Sequence, residues 1–462
     1  MFKKEIYVAR RKKLMADVGS GVLLLLGNEE SSMNYRDNVY PFRQDSSFLY
    51  FAGIDRPGLA LLIHCDEGWT CLYGIEATMD DVVWTGPQTG LQDLAAMSGI
   101  ERTGDPSVLA GIIRRSTGVL HYLPPYRADN LAKIAGWTGL STAEVPAKFS
   151  VPLVKAVVAE RSVKAPEELA EMDKAVNTSN FIQMAAMQQS APGKSEREVA
   201  GLIEGLCASA GGRIGYPVIY TVNGEVLHNH PTAKVLQEGQ VILCDAGAET
   251  AMHYCGDLTR TYPVSSSFNS LQREMYEVVL GAFEKAKGLL KPGIRYLDVH
   301  RAACRELVSG LQQAGLMTGD ADEAVEAGAH TLFFQCGLGH MLGLDVHDME
   351  DLGEKYVGYD EVTVQRKDFG WKSLRLGKEL QEGFVLTVEP GLYFIPALID
   401  KWTSEKKLAS FINYERLPLF RNLSGFRVED NFVITAKGSR VLGDGLIKTV
   451  SEVEAIRKMQ QR

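Results

Sequence analysis

VILCDAGAETAMHYCGDLTRTYPV (Val241–Val264) is the stretch on which the fold of this 462-residue chain turns. Two apolar, β-branched runs, Val241–Asp245 and Leu258–Val264, flank a middle that contains glycine, the pattern of two strands joined through a turn. Asp245 ends the first run and Asp257 opens the second, so the two acids stand as opposite arms of a hairpin. A lone Asp in such a place more often caps a turn. Two carboxylates facing each other at a hairpin base repel, which costs stability unless a cation lies between them.

Three later phrases carry further donors: GLGHMLGLDVHD with His340 and His347, LTVEPGLYF with Glu389, and GFRVEDNFVIT with Arg427 and Glu429. Pro390-Gly391 forces a sharp turn that presents Glu389. Period-two alternation puts Arg427 and Glu429 on one strand face, a spacing that also suits a surface ion pair. Four carboxylates and one imidazole make a hard, oxygen-rich ligand set. One divalent ion rarely needs four anionic ligands; two ions sharing bridging carboxylates do.

The order Asp245, Asp257, His340, Glu389, Glu429, in these local phrases, resembles the creatinase/methionine aminopeptidase superfamily of pita-bread fold, and within it the aminopeptidase P and prolidase branch. The resemblance covers about residues 166–462. It implies an α+β fold: a pita-bread catalytic domain over 156–462 behind a smaller α/β domain over 1–155, which in the family shapes the cleft and mediates oligomerisation. The phrase FRQDSSFLYFAGI in that first domain is similar to its counterpart in both enzymes. The five residues would then hold two divalent ions, Mn²⁺ by ligand hardness, with Asp257 and Glu429 bridging. Such ions acidify water and polarise a carbonyl. Glu389 would also move the proton, and His347 and His228 would hydrogen-bond substrate or the developing oxyanion. Arg427 would steady the ligands and reach substrate.

Three departures from the family pattern stand out. Asp245 and Asp257 are twelve residues apart where eleven is usual, and the extra residue belongs in a loop or bulge near Glu249–His253, since a shift within a strand would turn one Asp away. Cys336 replaces a histidine four residues before His340, as a packed neutral thiol. The segment before His228 is short, and His230 and His253 are read as surface residues.

The implied reaction is hydrolysis of the bond between an N-terminal residue and a following proline, in a peptide or dipeptide. Arg375 matches the arginine with which prolidases clasp a dipeptide carboxylate, and the residues between Tyr393 and Arg427 resemble prolidase insertions; FRQDSSFLYFAGI leans towards aminopeptidase P. The balance falls on an Xaa-Pro aminopeptidase, with Xaa-Pro dipeptidase as the alternative. Pita-bread relatives that lost their metal act as binding proteins, but here all five ligands are intact.

Composition narrows the remaining choices. A formal charge of −9 argues against nucleic acid, whose phosphates require clustered Lys and Arg. No run approaches the roughly 20 apolar residues of a membrane span. The basic N-terminus ahead of Val22–Leu26 resembles a signal peptide only faintly, because five apolar residues ending in Gly27-Asn28-Glu29 read as a buried strand. Seven cysteines without a CxxC pair suit reduced thiols. The expected location is cytoplasmic, and the expected assembly a homodimer or larger homo-oligomer.

Overall fold

The computed structural model describes residues 1–116 and 118–459. The chain forms two compact units, Met1–Arg161 with Asp351–Tyr356, and Ser162–Glu350 with Val357–Arg462. The main crossing falls at the end of the helix Val151–Ser162, six residues past the expected limit at 155, because that helix runs on unbroken until Pro166 opens the next one.

In the first unit, strands β1 (Val22–Leu26), β2 (Ala60–His64), β3 (Trp69–Tyr73), β4 (Arg102–Gly104) and β5 (Leu120–Tyr122) form one mixed sheet in the order β4-β3-β2-β1-β5. The apolar run Val22–Leu26 is a central strand, antiparallel to β2 and parallel to β5. FRQDSSFLYFAGI holds a helix, Ser46–Ala52: Asp45 accepts from the Phe48 N–H at its start, and Gly53 ends it at φ +67°.

The second unit is helical pairs alternating with antiparallel strands, the α+β pita-bread arrangement expected. The helix Ser270–Leu289, capped by Asn269, buries Met275, Tyr276, Val279, Ala282, Phe283 and Ala286 at three- and four-residue spacing. It packs on the helix Tyr296–Gln313. Strands β6 (Arg213–Ile214), β7 (Ile219–Thr221), β8 (Val241–Asp245), β9 (Ala248–Glu249) and β10 (Thr259–Pro263) follow two more capped helices, Pro166–Gln189 and Glu196–Ser209. β8 lies between β7 and β10, antiparallel to both, with Asp245 opposite Thr259.

Downstream lie β11 (Val385–Val388), β12 (Gly391–Tyr393), β13 (Gly425–Arg427), β14 (Asp430–Thr435) and β15 (Gly438–Val441). The single strand expected to carry Arg427 and Glu429 on one face is two over 426–435. β13 pairs with β12, whereas β14 pairs with β11, so both partners break at the same level. Val388 faces Asp430 and Gly391 faces Arg427, which leaves Glu389-Pro390 opposite Val428-Glu429 in the gap. Pro390 cannot donate to a ladder, and its missing N–H is the physical reason for the break. Two glutamates are thereby presented at one interruption.

Candidate metal centre

Asp245 at the end of β8 and Asp257 just before β10 are joined by a residue that sequence reading missed. The Tyr216 hydroxyl lies 2.5 Å from both Asp245 Oδ1 and Asp257 Oδ1 and shares its one proton between them. Asn431 fixes Asp257 from its backbone side, accepting the Asp257 N–H at 2.9 Å and donating to its carbonyl at 2.6 Å. The hairpin tip turns over Thr250–His253, within the stretch where the extra residue was expected, with His253 at φ +68°.

His340 is set by its neighbours in the same way. Its N–H donates to Thr387 Oγ1 at 3.1 Å, and its Nδ1 lies 3.0 Å from the Met341 carbonyl. Nε2 is then directed at carboxylates, 3.3 Å from Asp257 Oδ2 and 3.6 Å from Glu389 Oε1. The loop behind it is anchored by the buried Lys164–Asp348 ion pair, 2.8 Å long. Thr259 Oγ1 donates to Glu429 Oε2 at 2.7 Å, while Glu429 Oε1 is buried without a hydrogen-bond partner among the described residues. Donor atoms of Asp257, His340 and Glu429 all lie within 4.8 Å of one another. The structure therefore brings all five expected ligands into one linked cluster.

Its charge is out of balance. Burial pushes Glu429 well above the usual carboxylate range, with Asp257, Glu389 and Asp245 adding to the effect. Burial likewise lifts Asp245, and it pushes Glu389 up to about 7. Burial opposes protonation of His340, but Asp257 and Glu389 outweigh it and push that group up to about 9, which in turn holds Asp257 low. The protons stand where cations belong. An orphaned buried carboxylate oxygen, four acids against one guanidinium and an oxygen-rich donor set fit divalent ions, which Asp245, Asp257, His340, Glu389 and Glu429 would hold.

Arg427, expected both to steady the ligands and to touch substrate, is buried with every nitrogen engaged by protein. Its guanidinium pairs with Asp245, donates to Thr259 Oγ1 at 3.0 Å and donates to the Tyr393 hydroxyl at 2.7 Å. It orients Asp245, a positioning role of the kind that tunes ligands. Cys336 Sγ lies 3.8 Å from the same Tyr393 hydroxyl, and burial pushes its thiol up to about 12, so it is neutral.

His347 stacks on His340 with ring centroids 3.9 Å apart, and its Nδ1 lies 2.6 Å from Glu350 Oε2. The other oxygen of Glu350 is 3.1 Å from Arg375 NH1. Glu350, unremarked in the sequence, thus ties the expected substrate arginine to the expected substrate histidine. His228 and His230 are exposed in the segment after β7, and no described hydrogen bond, ion pair or ring contact joins His228 to the cluster. His253 corrects the expectation of a surface residue: it is 6% exposed, pairs with Glu249, and sits 3.1 Å from Arg213 NH2. The turn folds it back over β9, where pairing of β9 with β6 brings Arg213 alongside.

A hard, buried donor cluster at strand ends defines a metal-dependent hydrolase site, and sequence comparison gives the family. Residues 170–436 match the model of metallopeptidase family M24, and residues 7–118 match that of the aminopeptidase P N-terminal domain. The chain is 31% identical over 458 residues to the Xaa-Pro dipeptidase of Homo sapiens, covering 96% of this chain and 90% of the relative. It is 30% identical over 472 residues to the Xaa-Pro aminopeptidase of Escherichia coli K12, covering 98% and 97%. The solved structure of proline aminopeptidase P II from Yersinia pestis superposes with a TM-score of 0.82 at 26% identity, over 99% of this chain and all of that one. The chain belongs to metallopeptidase family M24. It is a metal-dependent hydrolase.

Proposed function

We propose that this enzyme is an Xaa-Pro aminopeptidase, releasing the N-terminal residue ahead of a proline from peptides longer than two residues. The observation that carries the choice is the Arg375–Glu350 ion pair. A guanidinium already facing a carboxylate is a poor clasp for a dipeptide's C-terminus, because the incoming carboxylate meets Glu350 as well. The E. coli relative and the Yersinia pestis structure support the same reading. Dipeptidase activity is the second reading, favoured by the human relative and by the presence of Arg375 itself.

Two divalent ions, Mn²⁺ by ligand hardness, would supply Lewis-acid activation of the scissile carbonyl and of water at this site. The protein's own part is positional. Glu389 is the most open of the four acids, with its side chain 19% exposed, which supports a role in accepting a proton and returning it to the departing amine. His347, anchored through Nδ1 and 40% exposed, has Nε2 to hydrogen-bond substrate. His228 keeps the expected substrate-side role, which requires KM to rise in His228→Ala. Proline peptide bonds lack an N–H, so recognition rests on shape and chain ends rather than on that donor.

Association of copies through the first unit is part of the proposal. Ile75, Met79, Val83 and Trp84 are each at least 68% exposed around the helix Met79–Thr85, which buries none of its own side chains. All seven cysteines are free, as in a reducing, cytoplasmic setting. No described helix is long and apolar enough to cross a membrane.

The deciding experiment compares Gly-Pro with an Xaa-Pro-Xaa tripeptide as substrates of the Mn²⁺-loaded protein. Cleavage of the tripeptide supports the aminopeptidase. Cleavage of Gly-Pro with the tripeptide left intact overturns it in favour of the dipeptidase.

A further inference from the structure

A second donor cluster lies among apolar side chains in the same unit. His300 and Cys304 stand four apart on the buried face of the helix Tyr296–Gln313, and His330 comes from the turn Ala329–Leu332. One donor atom of each lies within 4.8 Å of the others, with Cys304 Sγ 3.5 Å from His300 Nε2. All three residues are 2% exposed or less. His330 Nδ1 is buried without a hydrogen-bond partner among the described residues, an omission worth about 1–3 kcal/mol in a packed interior. Trp371 meets both imidazoles edge to face, at 5.2 and 5.4 Å between centroids. Burial holds both imidazoles down at about 3, helped at His300 by His330, Arg301 and Arg366 and at His330 by Arg366. They are neutral, the form that ligates metal.

We propose that His300, Cys304 and His330 form a binding site for one soft monovalent cation, Cu⁺ in class. Two imidazoles and a sulfur are the chemical opposite of the acidic cluster, and they select soft metals. Charge then decides the valence. Binding forms an S–Cu bond and releases the Cys304 proton, with no change of oxidation state, so Cu⁺ leaves a neutral centre. A divalent ion would leave a net positive charge buried near Arg301 and Arg366, which a low-dielectric interior resists. Zn²⁺ also wants a fourth ligand. Cys336 is close enough to raise the Cys304 thiol, but it lies outside the three-donor set and its Sγ faces Tyr393.

The test titrates the Mn²⁺-loaded protein with Cu⁺ anaerobically against a competing Cu⁺ chelator, reading tryptophan fluorescence and copper X-ray absorption. One Cu⁺ per chain is expected, with quenched fluorescence and a shell of two nitrogens and one sulfur. Cys304→Ser and His330→Gln should each lose that ion, and Trp371→Phe should keep the ion while losing most of the quench. Equal binding by wild type and both ligand variants, a sulfur-only shell, or tight uptake of Zn²⁺ in place of Cu⁺ overturns the proposal. Should either ligand variant fail to fold, the wild-type shell decides alone: two nitrogens and one sulfur uphold the site, and any other shell or none rejects it.

Discussion

The acidic cluster and the histidine–cysteine cluster are both buried in the second unit, yet they are built on opposite principles. The acidic one gathers Asp245, Asp257, Glu389 and Glu429 at strand ends and at the shared break of β11/β12 and β13/β14, where irregular backbone can turn several side chains to one point. It is held by a dense frame of hydrogen bonds from Tyr216, Thr259, Arg427 and Asn431. The other cluster joins two side chains of a regular helix face to one from the turn Ala329–Leu332, is uncharged, and leaves His330 Nδ1 without a partner among the described residues. Burial alone therefore does not mark a site. Unneutralised charge marks the first, and an unpaired neutral donor marks the second.

Glu389→Ala breaks the comparison most sharply. In the proposed mechanism the residue would both hold a cation and move a proton, a role worth about 10²–10⁴ in rate. A fall of that size in kcat is expected, with thermal unfolding little changed, because removing one of several mutually repelling carboxylates relieves as much as it disrupts. Retention of more than about a tenth of kcat would move the proton-transfer role to another residue.

The five residues of the acidic cluster and its histidine were legible because each sits in a short phrase whose glycines, prolines and alternation announce a turn or strand end. The supporting frame was not. Tyr216 reaches Asp257 across 41 residues and Thr259 reaches Glu429 across 170, and a solitary Tyr or Thr carries no local pattern that announces such a partner. Glu350 lay within reach of sequence reasoning, three residues from His347, but its meaning depends on Arg375, which the fold delivers. The split of the expected strand over 426–435 was hidden for a related reason. Phe426, Val428 and 432–435 suit a strand, and the break originates in the partner, at Pro390. His253 failed as a surface expectation because the hairpin turn is long enough to fold over Glu249.

Arg375→Ala sharpens the reading within the acidic region. If the enzyme were a dipeptidase, the loss of a charge-assisted contact of roughly 1.5–3 kcal/mol would lower kcat/KM for Gly-Pro by about ten- to a hundred-fold. In the aminopeptidase proposed, extended peptides are cleaved well by wild type and the substitution does not discriminate by chain length. Steady-state kinetics on both substrates checks this. Tyr216→Phe ranks next. It removes the hydroxyl shared by Asp245 and Asp257 and leaves the ring, so metal affinity measured by calorimetry should fall about tenfold, while kcat at saturating metal stays within a few-fold. An unchanged affinity would mean that the bridge plays no part in arranging the two carboxylates.

At neutral pH the effect in the histidine–cysteine region vanishes, and it appears only on acidification. His300 and His330 bind protons in the unfolded chain near pH 6.5 but in the folded one only near pH 3. Between those values the unfolded state holds more protons, so folding stability falls as pH falls, by at most about 1.4 kcal/mol per pH unit for each histidine. Above about pH 7 neither group contributes any slope. Arg301 and Arg366 beside His300, and Arg366 beside His330, add to the penalty for protonation without changing its sign. His330→Gln should therefore leave stability flatter against pH between about 6 and 4 than wild type does, whatever it costs at pH 7. Denaturant unfolding of both proteins at several pH values measures the difference in slope. Parallel curves would show that His330 is solvated or protonated in the folded state, and that its neutrality inside the helix-packed core is wrong.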